Sequence, residues 1–277
     1  MGVTAEKIDR LREIFAANGW DIGGDEAVAN RFDRMVNLMS HLEPPAQELL
    51  MHLTSDFLVQ TFPEYGSRTS ELVAILLNQH YERGRDGPLI VLPMMKDWSS
   101  GEPKSGAMIT YLVRAELKRR QIPHHSWDRA HLVRERLPSR CNALIFIVDD
   151  FIGSGDTALA ACTNFSAQFA NDTDQVLVGA LVAQEAGLSS LRNAGVKACS
   201  VIVRRRGISD SSTLPNITEA LSTMDGIETL MNVPGTYKRG FRRSEALVSL
   251  VRCPNNTFPV YWKTPTGEVG WIPPFDR

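Results

Sequence analysis

The chain has 277 residues, of which 43% are hydrophobic and 22% are charged, and its net charge is −2. This length allows one or two domains with a sizeable core, and the composition excludes a disordered, collagen-like or disulfide-dense protein. The near-neutral charge gives no global electrostatic case for a nucleic-acid partner. The four scattered cysteines, the charged first residues (Met1 to Asp9) and the lack of a long apolar run predict a cytoplasmic protein with no membrane association.

Residues 1–87 are predicted to form an N-terminal helical region. Apolar side chains recur there at helical spacing, for example at Leu11 and Phe15 and again at Leu49 and Leu53. No residue of this region has an evident chemical role, so docking of a protein partner is the function that we consider for it.

Residues 88–206 are predicted to form an α/β core, because strand and helix patterns alternate along them. Such alternation indicates a mostly parallel sheet with helices on both faces. The predicted strands are Leu89–Met94, Ile122–Trp127, Ala143–Val148, Val176–Val182 and Ala198–Val203, and the predicted helices are Ala107–Arg120, Gly155–Phe169 and Leu188–Ala194.

Residues 207–277 lose this alternation and are predicted to form a C-terminal extension that completes the site as a hood. Helices are expected at Ile217–Met224 and Ile227–Met231, and a strand at Ala246–Leu250. A tail rich in proline and tryptophan follows.

The segment Val148–Thr157 reads V-D-D-F-I-G-S-G-D-T and is the most informative part of the chain. A buried strand is expected to end at Asp149 and Asp150, and a glycine-containing loop then leads into a helix. Successive amides at the positive end of a helix form a cradle for an anion, and glycine allows the close approach that this needs. Hydroxyl groups in the segment add further donors.

The two carboxylates suit a different part of the same ligand. They would repel a phosphate, but they can accept hydrogen bonds from a vicinal diol or help to hold Mg²⁺ through water. A phosphate beside a diol describes a ribose 5-phosphate. The alternative is an Asp-Asp strand end and a capped helix without any ligand.

This segment resembles the signature of the phosphoribosyltransferases, which is an apolar strand, two acidic residues and then Thr/Ser-Gly-x-Thr. The resemblance implies a phosphoribosyltransferase-type sheet in which Asp149 and Asp150 are the catalytic pair, face the ribose hydroxyls and hold Mg²⁺ indirectly. It also implies that the 5-phosphate is bound by Gly153, Ser154, Gly155, Asp156 and Thr157. Asp156 departs from the small residue that is often found at its position.

A second loop precedes the helix predicted at Ala107 and contains Lys104, Ser105 and Gly106. Enzymes of this fold use the loop at that place to hold diphosphate, for which a lysine and glycine-freed amides are suitable. The alternative is a solvated turn.

The tail resembles the PRTase-CE proteins, through Gly240, Ser244–Ser249 and Pro254–Trp262. These phosphoribosyltransferase-like proteins occur in bacterial conflict and antiphage gene neighbourhoods, so the resemblance implies an effector that acts on a nucleotide. Asn255 and Asn256 have amides suited to a base edge, and Tyr261 or Trp262 could stack on a base. A turn followed by a buried aromatic strand is the alternative.

Three functions are compatible with these patterns. The first is an enzyme that makes or breaks a ribose C1–N bond, with 5-phosphoribosyl diphosphate (PRPP) or a nucleotide and Mg²⁺. The second is a non-catalytic module that senses a nucleotide. The third, compatible with either, is a subunit of a defence complex that binds its protein partner through residues 1–87.

Overall fold

The computed structural model describes residues 2–22, 30–81, 87–98, 105–127, 130–137, 141–171, 173–266 and 270–277. They form two compact units, one of residues 61–204 and one of residues 1–60 together with 205–277. Each unit is described by itself. No described helix has the length and apolar character needed to cross a membrane.

The helices and strands follow one another closely along both units. The helices are α1 (Ala5–Ala17), α2 (Arg31–Ser40), α3 (Pro44–Ser55), α4 (Phe62–Tyr81), α5 (Ser105–Arg119), α6 (His131–Arg136), α7 (Asp156–Gln168), α8 (Glu185–Asn193) and α9 (Ile217–Leu230). The strands are β1 (Leu58–Val59), β2 (Leu89–Pro93), β3 (His125–Ser126), β4 (Leu144–Ile152), β5 (Gln175–Gln184), β6 (Lys197–Arg204) and β7 (Val248–Ser249).

The unit of residues 61–204 is built on a parallel sheet in which the described strands have the order β3-β2-β4-β5-β6. This confirms the predicted α/β class. Strand β4 lies at the centre and its residues Leu144–Val148 are all buried, as expected for a strand with both faces covered.

Helix α4 covers this sheet, although it lies in the region that the sequence predicted to be a separate helical part. The side chains of Leu72 and Leu76 approach Gly179 of β5, at 3.2 and 3.4 Å from the point where a Cβ would stand. The compact unit therefore begins at Thr61, earlier than the predicted core boundary at residue 88, and it ends at Arg204.

The other unit is mainly helical. Its apolar core joins α1, α2 and α3 to α9 and to the C-terminal tail, with Phe15, Leu50, Met224, Tyr261 and Trp271 among its buried members. The short strands β1 and β7 pair in parallel, Leu58 with Val248 and Val59 with Ser249. The two helices predicted at Ile217–Met224 and Ile227–Met231 are one continuous helix, α9, because Gly226 and its neighbours keep helical geometry.

Candidate functional site

The strand order places a crevice between β2 and β4. The chain passes from β2 to β3 on one side and then to β4 on the other, so its direction of winding reverses at this pair. In open α/β sheets, ligands bind outside the carboxyl ends of the strands at such a reversal. The loops after β2 and β4 are the two that the sequence predicted to bind phosphate groups.

Asp149 and Asp150 lie at this edge of the sheet, inside β4 and not after it. The strand continues to Ile152 because Phe151 and Ile152 still pair with Val182 and Ala183 of β5. The expectation that the strand ends at the acid pair is therefore wrong by two residues. Within an extended strand, neighbouring side chains point to opposite faces, so the two carboxylates have different surroundings.

The carboxylate of Asp149 is partly buried and is bound on one of its oxygens. Its Oδ1 atom accepts a hydrogen bond from Ser105 Oγ at 2.7 Å and another from the amide of Asp150 at 2.9 Å. The side chain of Asp150 is 9% exposed, and its Oδ2 accepts a hydrogen bond of 3.2 Å from the hydroxyl of Tyr65 in α4. Tyr65 had no recognisable signal in the sequence, because it is one apolar-facing residue of an ordinary helix.

Burial raises the pKa of Asp149 well above its usual value, and the negative charge of Asp150 raises it further. The hydrogen bond from Ser105 acts in the opposite direction, since it favours the ionised form. Two adjacent carboxyl groups with a raised pKa are a common feature of functional sites.

The loop after β4 has the geometry expected of an anion cradle. Gly155 is the N-cap of α7 with a left-handed φ of 86°, and no side chain caps this helix end. Among the described residues, the amides of Ser154, Gly155 and Thr157 have no acceptor. Asp156 and Thr157 are exposed in the first turn of α7, where acidic and hydroxyl side chains are common.

The position of this loop is fixed by a glycine of another helix. A Cβ on Gly187 of α8 would stand 2.1 Å from the carbonyl oxygen of Gly153, and a Cβ on Gly155 would stand 2.9 Å from that of Gly187. The backbones of the loop and of α8 therefore touch directly, which only glycine permits. Gly187 was not recognised from the sequence, because the loop and α8 are separated by a whole strand.

The loop after β2 reaches the same place through Ser105, which begins α5 and bonds Asp149. Gly106 is buried against the ends of β2 and β4, where a Cβ would be 2.8 Å from the nitrogen of Met94 and 3.1 Å from the oxygen of Val148. Gly106 thus has a packing role, and its part in binding diphosphate stays a prediction. Lys104 lies outside the described residues.

Asn255 and Asn256 are engaged within the helical unit. The Asn256 side chain is 7% exposed, and its Nδ2 donates to Ser244 Oγ at 2.7 Å. The carbonyl oxygen of Asn255 accepts from the amide of Phe241 at 2.8 Å. Base recognition by these two residues stays a prediction. Tyr261 is fully buried, so the expectation that its ring could stack on a base is wrong.

Comparisons with known proteins agree with the sequence signature. The PRTase-CE family model matches residues 46–277, whereas no curated protein matches the chain. Among solved structures, the chain is similar to an orotate phosphoribosyltransferase from Aeropyrum pernix, with 16% identity over 50% of this chain and 70% of that one, and a TM-score of 0.32.

Two further structures show a comparable likeness. One is an adenine phosphoribosyltransferase from Thermoanaerobacter pseudethanolicus, with 15% identity over 50% of this chain and 80% of that one, and a TM-score of 0.30. The other is an orotate phosphoribosyltransferase from Mycobacterium tuberculosis H37Rv in complex with PRPP, with 12% identity over 70% and 96%, and a TM-score of 0.27. Because these TM-scores are below 0.5, we take no site or activity from them. The family match covers most of the chain and includes both loops and the tail, and the chain belongs to the PRTase-CE family.

Proposed function

We propose that this protein binds a ribose 5-phosphate moiety, as PRPP or as a nucleotide, at the carboxyl edge of β2 and β4. The observation that supports this most is the uncapped N-terminus of α7, with left-handed Gly155 and free amides, directly after the Asp149–Asp150 pair. The amides suit the phosphate and the acid pair suits the ribose hydroxyls.

Mg²⁺ is the metal that this proposal includes. The described residues contain no group of three or more His, Cys, Asp or Glu side chains arranged to hold a metal. Two carboxylates alone fit Mg²⁺, which keeps several waters and takes further ligands from the phosphates of a substrate. Asp149 and Asp150 would hold the ion through water, and it would neutralise charge on a diphosphate.

The reaction that fits these residues makes or breaks the C1–N bond of the ribose. Asp149 and Asp150 accept hydrogen bonds from the two ring hydroxyls and fix the sugar, while Ser154, Gly155 and Thr157 hold its 5-phosphate. Positioning and stabilisation of the departing group supply most of the rate in such a site. Ser105 keeps Asp149 oriented toward the crevice.

A non-catalytic nucleotide sensor is the second candidate. It is favoured by Asp156, which adds a negative charge in the turn that would receive the phosphate. In either case we expect an effector of a bacterial antiphage or conflict system that acts in the cytoplasm, with a protein partner docked on residues 1–87. This expectation comes from the family resemblance.

One experiment separates the two candidates. The pure protein is incubated with Mg²⁺, PRPP and a mixture of nucleotides, and the products are identified by mass spectrometry. The enzyme hypothesis predicts release of base or consumption of PRPP, and loss of both in the double variant Asp149→Asn, Asp150→Asn. Turnover that survives this double substitution would rule the site out, and saturable binding without turnover would favour the sensor.

A further inference from the structure

A strained segment of backbone lies in the helical unit, between Tyr237 and Glu245. Four of its non-glycine residues have a left-handed φ, namely Arg239 (56°), Arg242 (60°), Arg243 (52°) and Glu245 (50°). L-residues with large side chains are unfavourable in this region of φ. Such residues persist where the surroundings hold them in place, and they cluster at functional sites.

The segment is held at its C-terminal end by a buried carboxylate. Glu245 is 2% exposed and accepts hydrogen bonds from the amides of Ile208 at 3.1 Å and Ser209 at 2.7 Å, and from the Ser209 hydroxyl at 2.6 Å. The amide of Glu245 also donates to the carbonyl oxygen of Arg239 at 2.8 Å.

The middle of the segment is held from below. Asn256 Nδ2 bonds Ser244, as described above, and a Cβ on Gly240 would stand 1.9 Å from the carbonyl oxygen of Asn256. The guanidinium of Arg239 forms a two-pronged ion pair with Asp225, with Nε 2.8 Å from Oδ1. This support leaves the backbone little freedom to relax.

The segment presents cations to solvent. Arg242 and Arg243 are both exposed at adjacent left-handed positions, and Lys238 is partly exposed. Within the part of the chain that the structure describes, the side chain of Arg243 makes no hydrogen bond and no ion pair. Lys263, further along the tail, is in the same situation.

A continuous row of aromatic rings and guanidinium groups runs through the same region. The Arg277 guanidinium lies 4.5 Å from the ring centre of Trp262, and Trp262 meets the ring of Tyr237 edge-on at 6.2 Å. Tyr237 lies 6.4 Å from Phe241, whose ring is 5.8 Å from the guanidinium of Arg242. The three rings are partly exposed. We call the following residues the basic–aromatic surface: Tyr237, Lys238, Phe241, Arg242, Arg243, Trp262, Lys263 and Arg277.

The acidic residues near this surface do not cancel its charge. Asp225 is paired with Arg239, and Asp276 is paired with Arg34 at 3.1 Å. Glu228 is fully buried beneath the segment, where its Oε1 accepts the Arg239 amide at 2.7 Å. The surface therefore carries an excess of positive charge that the near-neutral total charge of the chain conceals.

We infer that the basic–aromatic surface binds single-stranded nucleic acid. Arginine and lysine side chains neutralise phosphates, and aromatic rings bind the faces of bases that are not stacked in a duplex. Rigid support of the arginines lowers the entropy lost when they bind. This activity is independent of the ribose-phosphate site and needs no turnover at Asp149 and Asp150.

Fluorescence anisotropy of the full-length protein with a labelled oligothymidylate of about 16 nucleotides tests the inference. We expect saturable binding that weakens steeply with salt. Arg243→Glu should weaken it about tenfold or more and should make the salt dependence less steep, since one phosphate contact contributes about 0.7 to the logarithmic slope for single strands.

Trp262→Ala should weaken binding by about five- to 100-fold, which is the usual value of one stacked base. Trp262→Phe keeps a ring and should retain most of the affinity, and it serves as the second variant if the alanine variant does not fold. The matched control is Arg114→Glu in α5, because Arg114 is also exposed and the substitution changes the net charge equally.

Three results would overturn the inference. The first is no binding at low salt, and the second is equal weakening by Arg243→Glu and Arg114→Glu. The third is equal binding of a duplex or of heparin that survives Trp262→Ala, because such a surface would recognise charge without bases.

Discussion

Asp149 is a carboxyl group that the fold keeps in an unfavourable environment. Burial and the neighbouring charge of Asp150 raise its pKa, so the folded protein holds a proton more tightly than the unfolded chain does. Its contribution to stability is therefore greatest below its ordinary pKa of 3.8 and is lost as the pH rises toward the folded pKa.

Asp149→Asn should stabilise the protein at neutral pH, by about 0.5–2 kcal/mol, while it abolishes binding of the ribose phosphate. The amide oxygen of asparagine can still accept the hydrogen bonds from Ser105 and Asp150. Thermal unfolding between pH 4 and pH 8 measures this, and the gain should fade toward the acidic end. A variant that is less stable than the wild type at pH 8 would contradict the proposed environment of Asp149.

Glu228 is a second buried carboxyl group and lies in the other unit. Burial raises its pKa to about 7 from an ordinary value of 4.5, although the amide of Arg239 lowers it. Its Oε2 atom has no hydrogen-bond partner in the structure. Stability from this group is fully present below pH 4.5 and is lost as the pH rises through 7.

Glu228→Gln should therefore raise the unfolding temperature at pH 8 and leave it nearly unchanged at pH 5. Glutamine keeps an oxygen for the Arg239 amide but cannot ionise. The matched control is Glu219→Gln, which removes an exposed carboxylate from the same helix. If both substitutions have the same effect at pH 8, burial of Glu228 is not the cause.

Residue types at the candidate site were predictable from the sequence, but their partners were not. The V-D-D-F-I-G-S-G-D-T segment contains its own strand, turn and helix start, so local chemistry was enough to identify it. Tyr65 and Gly187 reach the same place from distant elements, and only the folded chain brings them there. The left-handed arginines after Tyr237 have no local signal, since glycine or asparagine is expected at such positions.

At the scale of elements, the turn from β4 into α7 depends on α8. The backbone contact between Gly153 and Gly187 means that a methyl group on Gly187 must displace the loop. Gly187→Ala should weaken binding of the ribose phosphate at least tenfold without any contact to the ligand. The control is Gly66→Ala in α4, another helical glycine, which has no atom within 4 Å of its Cβ position.

Binding of PRPP by both glycine variants can be followed by calorimetry. Retained binding in Gly187→Ala would mean that the loop has room to move, and that its amides are not fixed in advance. Equal loss in Gly66→Ala would indicate a general effect on stability.

The strands of the sheet were predicted to within a few residues because each is a short apolar run between turn signals. β4 was predicted to end at Val148, since aspartates normally lie outside a strand. The structure extends it through both of them, because β5 continues beside it and its pairs with Phe151 and Ile152 remain. Pairing with a neighbour thus overrode the local preference of the aspartates.

At the scale of the whole molecule, the sequence suggested three consecutive parts, whereas contacts group the chain into two units. The tail packs with α1, α2 and α3 to form one apolar core, which no local pattern indicates. Helix α4 belongs with the sheet, since it covers β5 and bonds Asp150.

Residues 61–204 form a continuous stretch with its own core and should fold without the rest of the chain. We expect a cooperative thermal transition and a circular dichroism spectrum of an α/β protein. A fragment that starts at residue 86 lacks α4 and should not unfold cooperatively, because it exposes one face of the sheet. If the shorter fragment is as stable as the longer one, α4 is not part of this unit.

The central claim is that the acid pair and the α7 turn bind one ribose 5-phosphate together, and calorimetric titration of PRPP in the presence of Mg²⁺ tests it most directly. We predict saturable binding by the wild type and by Arg114→Glu, and its loss in the double variant Asp149→Asn, Asp150→Asn. Binding of unchanged affinity in the double variant, or none to the wild type by either PRPP or a nucleotide, would contradict the claim.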